Sequence, residues 1–323
     1  MRSPRRTGAL GHAMALAALL CLPALAWAGA KPGLELVVLG SGGPELAHGR
    51  ASTSYLVRED GKAKLMIDAG AGAMANFARS GARIEDLQAV LLSHLHVDHS
   101  VDLASLVKAS YFGDRTRDLP ILGPGGNGRV PSTREFVDAL FASPGGAYRY
   151  LSDYVDARAP DRYALRPVDI GADWERPGIY RTEIDGFAIS AMPVSHGPIP
   201  ALAWRIEKHG RAIVFAGDTS DQAGRLAGFA KGADVLVVHL AVADDGDPVA
   251  NALHMPPARL LQRVDEAKPG RLVLSHIMGR TESFAPAFAG RLAARRDPVD
   301  VVVARDLDVI ALECGEASRR AGR

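Results

Sequence analysis

Apolar residues recur along this chain with two periods that alternate almost to its end. Short runs near 34–39, 53–57, 64–67, 88–93, 187–194, 201–206, 211–216, 234–238, 271–275, 299–303 and 307–312 are apolar or β-branched and bounded by turn residues, which predicts strands. Stretches 72–80, 102–112, 131–142, 221–229, 257–267 and 286–295 carry apolar residues at helical spacing and predict helices. The expected class is α/β, a four-layer αβ/βα sandwich of two mixed β-sheets placed face to face with helices outside. Strand-end loops would then line one edge. No internal repeat has a fixed period.

Candidate chemistry gathers where those strands end. The run 88–93 leads into Ser93-His94-Leu95-His96-Val97-Asp98-His99. Neutral imidazoles and a carboxylate packed this closely suit a divalent metal such as zinc, and four donors in six residues are enough for two ions. With 10 histidines in 323 residues, three around one aspartate is not a chance cluster. Further candidates end later strands: Ser195-His196-Gly197, Gly217-Asp218-Thr219 and Ser275-His276, with Asp68 after Ile67. Each alone is weak, since Gly-Asp-Thr is also an ordinary turn or helix cap.

The N-terminus changes the charge picture. Arg2, Arg5 and Arg6 precede an apolar stretch from about Ala13 to Leu25, followed by Ala26-Trp27-Ala28, which reads as a signal peptide over 1–28 cleaved before Gly29. Export is therefore expected, to the periplasm in a Gram-negative source, with no stable membrane anchor. The whole chain has 38 basic and 37 acidic residues; removing those arginines leaves 35 against 37, a formal charge of −2. Without a long basic run the chain lacks the footprint of tight nucleic-acid binding, so a small-molecule ester is the expected partner, with a homodimer open. Cys21 leaves with the leader and Cys314 stands alone, so the mature chain has no intramolecular disulfide. Residues 29–315 form one expected domain, and 316–323 a polar tail.

Residues 111–180 stand out. Six of the seven tyrosines (Tyr111, Tyr148, Tyr150, Tyr154, Tyr163 and Tyr180) fall there with Phe112 and Trp174, as an insertion that forms either an aromatic lid over the metals or a small core of its own. Gly70-Ala-Gly-Ala-Met-Ala75 fits a dinucleotide-binding fingerprint, but the next strand ends in Ser93-His94 rather than an acid for a ribose, so the glycines read as a tight turn. A non-catalytic metal-binding protein remains the other alternative class.

The order Asp68, His-x-His-x-Asp-His, His196, Asp218, His276 resembles the metallo-β-lactamase-fold hydrolases. Leu39-Gly40-Ser41-Gly42-Gly43-Pro44 resembles the opening of their ribonuclease Z and arylsulfatase-like branch. The resemblance implies that His94, His96 and His196 hold one metal, that Asp98, His99 and His276 hold another, and that Asp218 bridges them. It also puts Asp68 behind a ligand histidine. Two divalent ions, zinc or else manganese, iron or cobalt, would hold a bridging hydroxide for attack on a phosphodiester or aryl sulfate, with lactones and β-lactams as acyl alternatives. His254, Asp98 and Asp218 are the implied catalytic residues, His254 as general acid or transition-state donor. One departure stands out: Leu240 follows His239 where ribonuclease Z has a glutamate, leaving Asp244, Asp245 or Asp247 as substitutes. His239 reads as strand-end packing.

Overall fold

A computed structural model describes residues 33–156, 163–243 and 247–312. The leader, the polar tail, Asp244 and Asp245 lie outside them. Among the described residues there are fourteen strands: β1 (Leu34–Gly40), β2 (Ser54–Glu59), β3 (Lys62–Ile67), β4 (Ala89–Leu91), β5 (Leu119–Pro124), β6 (Leu165–Ile170), β7 (Tyr180–Ile184), β8 (Phe187–Val194), β9 (Ala201–Lys208), β10 (Arg211–Phe215), β11 (Val235–His239), β12 (Arg271–Ser275), β13 (Asp300–Val303) and β14 (Val309–Leu312). They form two seven-stranded mixed sheets, ordered β14-β1-β2-β3-β4-β5-β6 and β13-β12-β11-β10-β9-β8-β7.

The two-residue period of a strand explains the layers. In β1, Leu34, Leu36 and Val38 face the core between the sheets, whereas Val37 and Leu39 face the outer layer. Helices Ala73–Arg79, Leu103–Ser110 and Thr133–Phe141 cover the first sheet; Leu226–Phe229, Pro257–Ala267 and Phe284–Ala293 cover the second. Thr133–Phe141 starts with a capping box, Ser132 receiving the Glu135 amide while the Glu135 carboxylate receives that of Ser132.

Segment 111–180 divides three ways. It contributes β5, β6 and the start of β7 to the two sheets. Tyr154 and Tyr163 are buried in the outer layer of the first sheet, with the Tyr163 hydroxyl 2.7 Å from Ser110 Oγ. Phe112 and Tyr150 are exposed around Lys108, and Trp174 and Tyr180 line a cleft.

Parallel pairing brings the functional loops to one edge. β3, β4 and β5 run parallel in one sheet, and β10, β11 and β12 in the other. Strand β8 runs with β10 because each is antiparallel to β9. The C-terminal ends of β3, β4, β8, β10, β11 and β12 therefore open together, and the Leu202 amide reaches across to the Ser93 carbonyl at 2.9 Å.

Candidate metal centre

The loop after β4 supplies most donors. His94 lies in the loop beyond β4, and His96, on extended backbone, is the N-cap of the single turn Val97–Ser100 that carries Asp98 and His99. His196 follows β8, Asp218 follows β10 and His276 follows β12. Among the described residues, donor atoms converge in two groups, each within 4.8 Å: His94, His96, His196 and Asp218, and His99, Asp218, His239 and His276. Asp218 belongs to both. Asp98 adjoins the second group, with Oδ2 3.2 Å from His276 Nε2 and 3.4 Å from His99 Nε2.

The histidines are aimed by their other nitrogens. His99 Nδ1 lies 2.8 Å from Asp68 Oδ2, His196 Nδ1 donates to the Leu253 carbonyl at 2.8 Å, and His94 Nδ1 lies 3.1 Å from Ser93 Oγ. Asp68 is fixed in turn by the Ser93 amide at 2.6 Å and hydroxyl at 2.7 Å. The free nitrogens face inward: His94 Nε2 is 2.9 Å, and His196 Nε2 3.4 Å, from His96 Nδ1. His99 Nε2 is buried with no hydrogen-bond partner. A buried lone pair left unsatisfied beside two carboxylates fits a divalent cation, and the nitrogen and oxygen donors suit zinc.

The electrostatics agree. Burial pushes the His94, His96 and His196 imidazoles down, which keeps them neutral and able to ligate at neutral pH. Burial opposes ionisation of Asp218, but the surrounding His276, His254 and His99 outweigh it and hold the carboxyl well below its usual range. Burial likewise opposes ionisation of Asp98, but the hydrogen bond from His276 and the charge of nearby His99 outweigh it and lower the carboxyl. Burial also disfavours charge on His99 and His276, yet the same carboxylates raise both. A centre that draws protons onto imidazoles this strongly would draw divalent cations for the same reason.

Backbone geometry is committed to this arrangement. Asp68 and His276 adopt left-handed conformations, φ 56° and 55°, which cost on the order of 1–3 kcal/mol each and cluster at functional sites. A Cβ on Gly43 would sit 2.5 Å from His276 Cε1, and one on Gly70 2.2 Å from the Asp98 carbonyl oxygen. The Gly70 turn thus admits the metal loop.

His239 is the residue that sequence reasoning misplaced. Its Nδ1 donates to Asp218 Oδ1 at 2.6 Å, and its Nε2 receives the Tyr55 hydroxyl at 3.2 Å. An ionised carboxylate only accepts, which assigns this tautomer. Both nitrogens being spent, His239 reads as the holder of Asp218, although its distances alone place it among the donors. The available signal was its position at the end of β11, parallel to the strand that delivers Asp218.

His254 is buried, with Nδ1 3.8 Å from Asp218 Oδ2 and without a hydrogen-bond partner. Burial pushes its imidazole down to about 3, so it is neutral at pH 7 and suited to donating a hydrogen bond rather than a proton. The Leu240 side chain lies in the apolar layer under the helices of the second sheet. Asp247 caps helix Pro248–Leu253 through the Ala250 amide at 2.7 Å and does not replace the missing glutamate.

Comparison with known proteins adds ancestry to this geometry. Residues 63–277 match the model of the β-lactamase superfamily domain. Ribonuclease Z of Mycobacterium sp. (strain KMS) is 30% identical over 301 residues, covering 90% of this chain and 100% of the relative. Among solved structures, the metallo-β-lactamase fold protein YhfI from Bacillus subtilis superposes with a TM-score of 0.66 at 22% identity, covering 87% of this chain and 100% of that one. The short form of human tRNase Z superposes at 0.65 and 19%, covering 85% and 98%. With two mixed sheets, donors at one shared edge and a ribonuclease Z relative matched end to end, the chain belongs to the β-lactamase superfamily, in its ribonuclease Z-like branch.

Proposed function

We propose that this chain is an exported, metal-dependent phosphodiesterase that acts on a small ester. The carrying observation is the set of buried, inward-facing imidazole nitrogens around Asp218, in a chain that matches a ribonuclease Z along that relative's whole length. His94, His96 and His196 would hold one ion, Asp98, His99 and His276 a second, and Asp218 both. Zinc suits the donors, with manganese, iron or cobalt as alternatives. Bound there, divalent cations would acidify a water and neutralise charge on the phosphoryl oxygens.

The chain's own residues do the rest. Asp68 fixes the His99 ring, Leu253 fixes His196, and the Tyr55–His239 pair fixes Asp218. Neutral His254 donates a hydrogen bond to an ester oxygen as it gains charge. One water oxygen bonds to phosphorus, one phosphorus–oxygen bond breaks, and the departing oxygen takes its proton from water. Small esters are favoured over transfer RNA because the chain carries almost no net charge and Leu240 stands where ribonuclease Z has its glutamate.

A screen of purified, metal-quantified protein against chromogenic phosphate monoesters and diesters, sulfates, lactones and β-lactams tests this reading. Diester cleavage should lead; a preference for sulfate, lactone or β-lactam would replace it. Export rests on the Arg2–Arg6 region and the apolar stretch that follows. N-terminal sequencing of secreted protein should begin near Gly29, and an intact N-terminus in the cytosol would refute it.

A further inference from the structure

A cleft of about 800 Å³ adjoins the metal centre and has no part in holding the ions. Its walls are Trp174, Ile179, Tyr180, Pro193, Pro198 and Ile199, so it is largely apolar and aromatic. It shares a wall with the centre, because Gly197 and Pro198 follow His196 directly and line the cleft. That wall is fastened: the Ile199 amide donates to the His196 carbonyl at 3.1 Å, and Asn127 Nδ2 to the Pro198 carbonyl at 2.8 Å. Trp174 is held by Arg225, whose guanidinium reaches the Trp174 carbonyl at 2.6 Å.

The charges in the lining decide what fits. Asp169, Asp173 and Glu175 outnumber Arg176, which is itself paired with Asp173 at 3.1 Å. An acidic, apolar cleft repels a polyanion or a second phosphate and accepts an uncharged ring between aromatic walls. We propose that this cleft binds a neutral planar aromatic group of the ester while the phosphoryl group lies at the metals. The proposal rests on the phosphodiesterase reading for the position of the phosphoryl group. It makes Trp174 and Tyr180 the specificity-determining residues.

Calorimetry on the zinc-loaded protein with phenyl phosphate and n-butyl phosphate, at a pH above the second ionisation of both so that each is a dianion, tests it. Phenyl phosphate should bind at least about tenfold more tightly, the scale on which an apolar pocket discriminates. Trp174→Ala should erase that preference by weakening phenyl phosphate, and Trp174→Phe should restore most of it. Equal binding of the two phosphates, or a preference that survives Trp174→Ala, overturns the assignment. If phenyl phosphate binds through Trp174 yet no diester is cleaved, the phosphodiesterase reading falls and the cleft stands. If diesters are cleaved but the two phosphates bind alike, the cleft alone falls.

Discussion

Tyr55→Phe isolates the hydrogen bond that begins the Tyr55–His239–Asp218 relay. Tyr55 is 1% exposed in the core between the sheets, its ring centroid 5.3 Å from that of Phe215. Phenylalanine keeps the ring and its packing and removes only the hydroxyl that donates to His239 Nε2 at 3.2 Å. A buried acceptor left unpaired costs about 1–3 kcal/mol. His239 can escape that cost by moving its proton to Nε2 or turning its ring, and either change withdraws the donor from Asp218 Oδ1. Carried into ion binding, the same energy is about 5- to 150-fold in affinity, which overlaps the roughly 10- to 100-fold loss common for partners behind a ligand. Competition with a chromophoric chelator for zinc or cobalt reads this directly, with urea unfolding of the metal-free chain as the check on folding. Affinity within twofold of the parent, at unchanged stability, would refute the reasoning.

Asp68→Asn should weaken metal binding by roughly 10- to 100-fold, because the carboxylate that accepts from Ser93 and His99 becomes an amide; unchanged affinity in the same competition would falsify its assigned role. His254→Ala should retain its metals, seen by elemental analysis, and lose roughly 10²- to 10³-fold in turnover on good and poor leaving groups alike, as expected for a hydrogen-bond donor. A loss confined to poor leaving groups would make His254 a proton donor instead. Acid should destabilise the metal-free chain. His94, His96, His196, His239 and His254 fold with imidazoles lowered from 6.5, so below pH 6.5 the unfolded chain binds more protons and stability falls, continuing towards about 3 for His254. His99 and His276 are raised, so their contribution is complete below 6.5 and is lost only as pH rises through their folded values. Urea midpoints that hold steady between about pH 6.5 and 5 would contradict this.

The convergence of candidate donors was legible because His196, Asp218 and His276 follow apolar strands and His94 to His99 follow β4, and a strand end is visible in one sequence. Strands β8 and β12 fall on the residues that their patterns predict, 187–194 and 271–275. Strands β5, β6 and β7 were not read; β7, Tyr180-Arg-Thr-Glu-Ile, is a half-exposed edge strand without an apolar run. Leu119-Pro-Ile-Leu-Gly-Pro and Leu165-Arg-Pro-Val-Asp-Ile carry prolines, which lack the amide that ladder pairing uses, and β6 escapes that penalty as an edge strand. The His239 partnership was hidden because Tyr55 and His239 lie 184 positions apart on opposite sheets and meet only when the sandwich closes. The fate of the tyrosines was hidden for the same reason: Tyr154 turns into the core and Tyr180 towards the cleft, and composition does not distinguish them.

The most direct test is hydrolysis of bis(p-nitrophenyl) phosphate by chelator-stripped protein, by the same protein reloaded with zinc or manganese, and by Asp218→Ala treated identically. The account predicts that stripping abolishes turnover, that reloading restores it, and that Asp218→Ala binds its ions poorly and stays inactive whatever is added. Equal turnover with and without metal, full activity in Asp218→Ala, or no cleavage by fully loaded protein would contradict it.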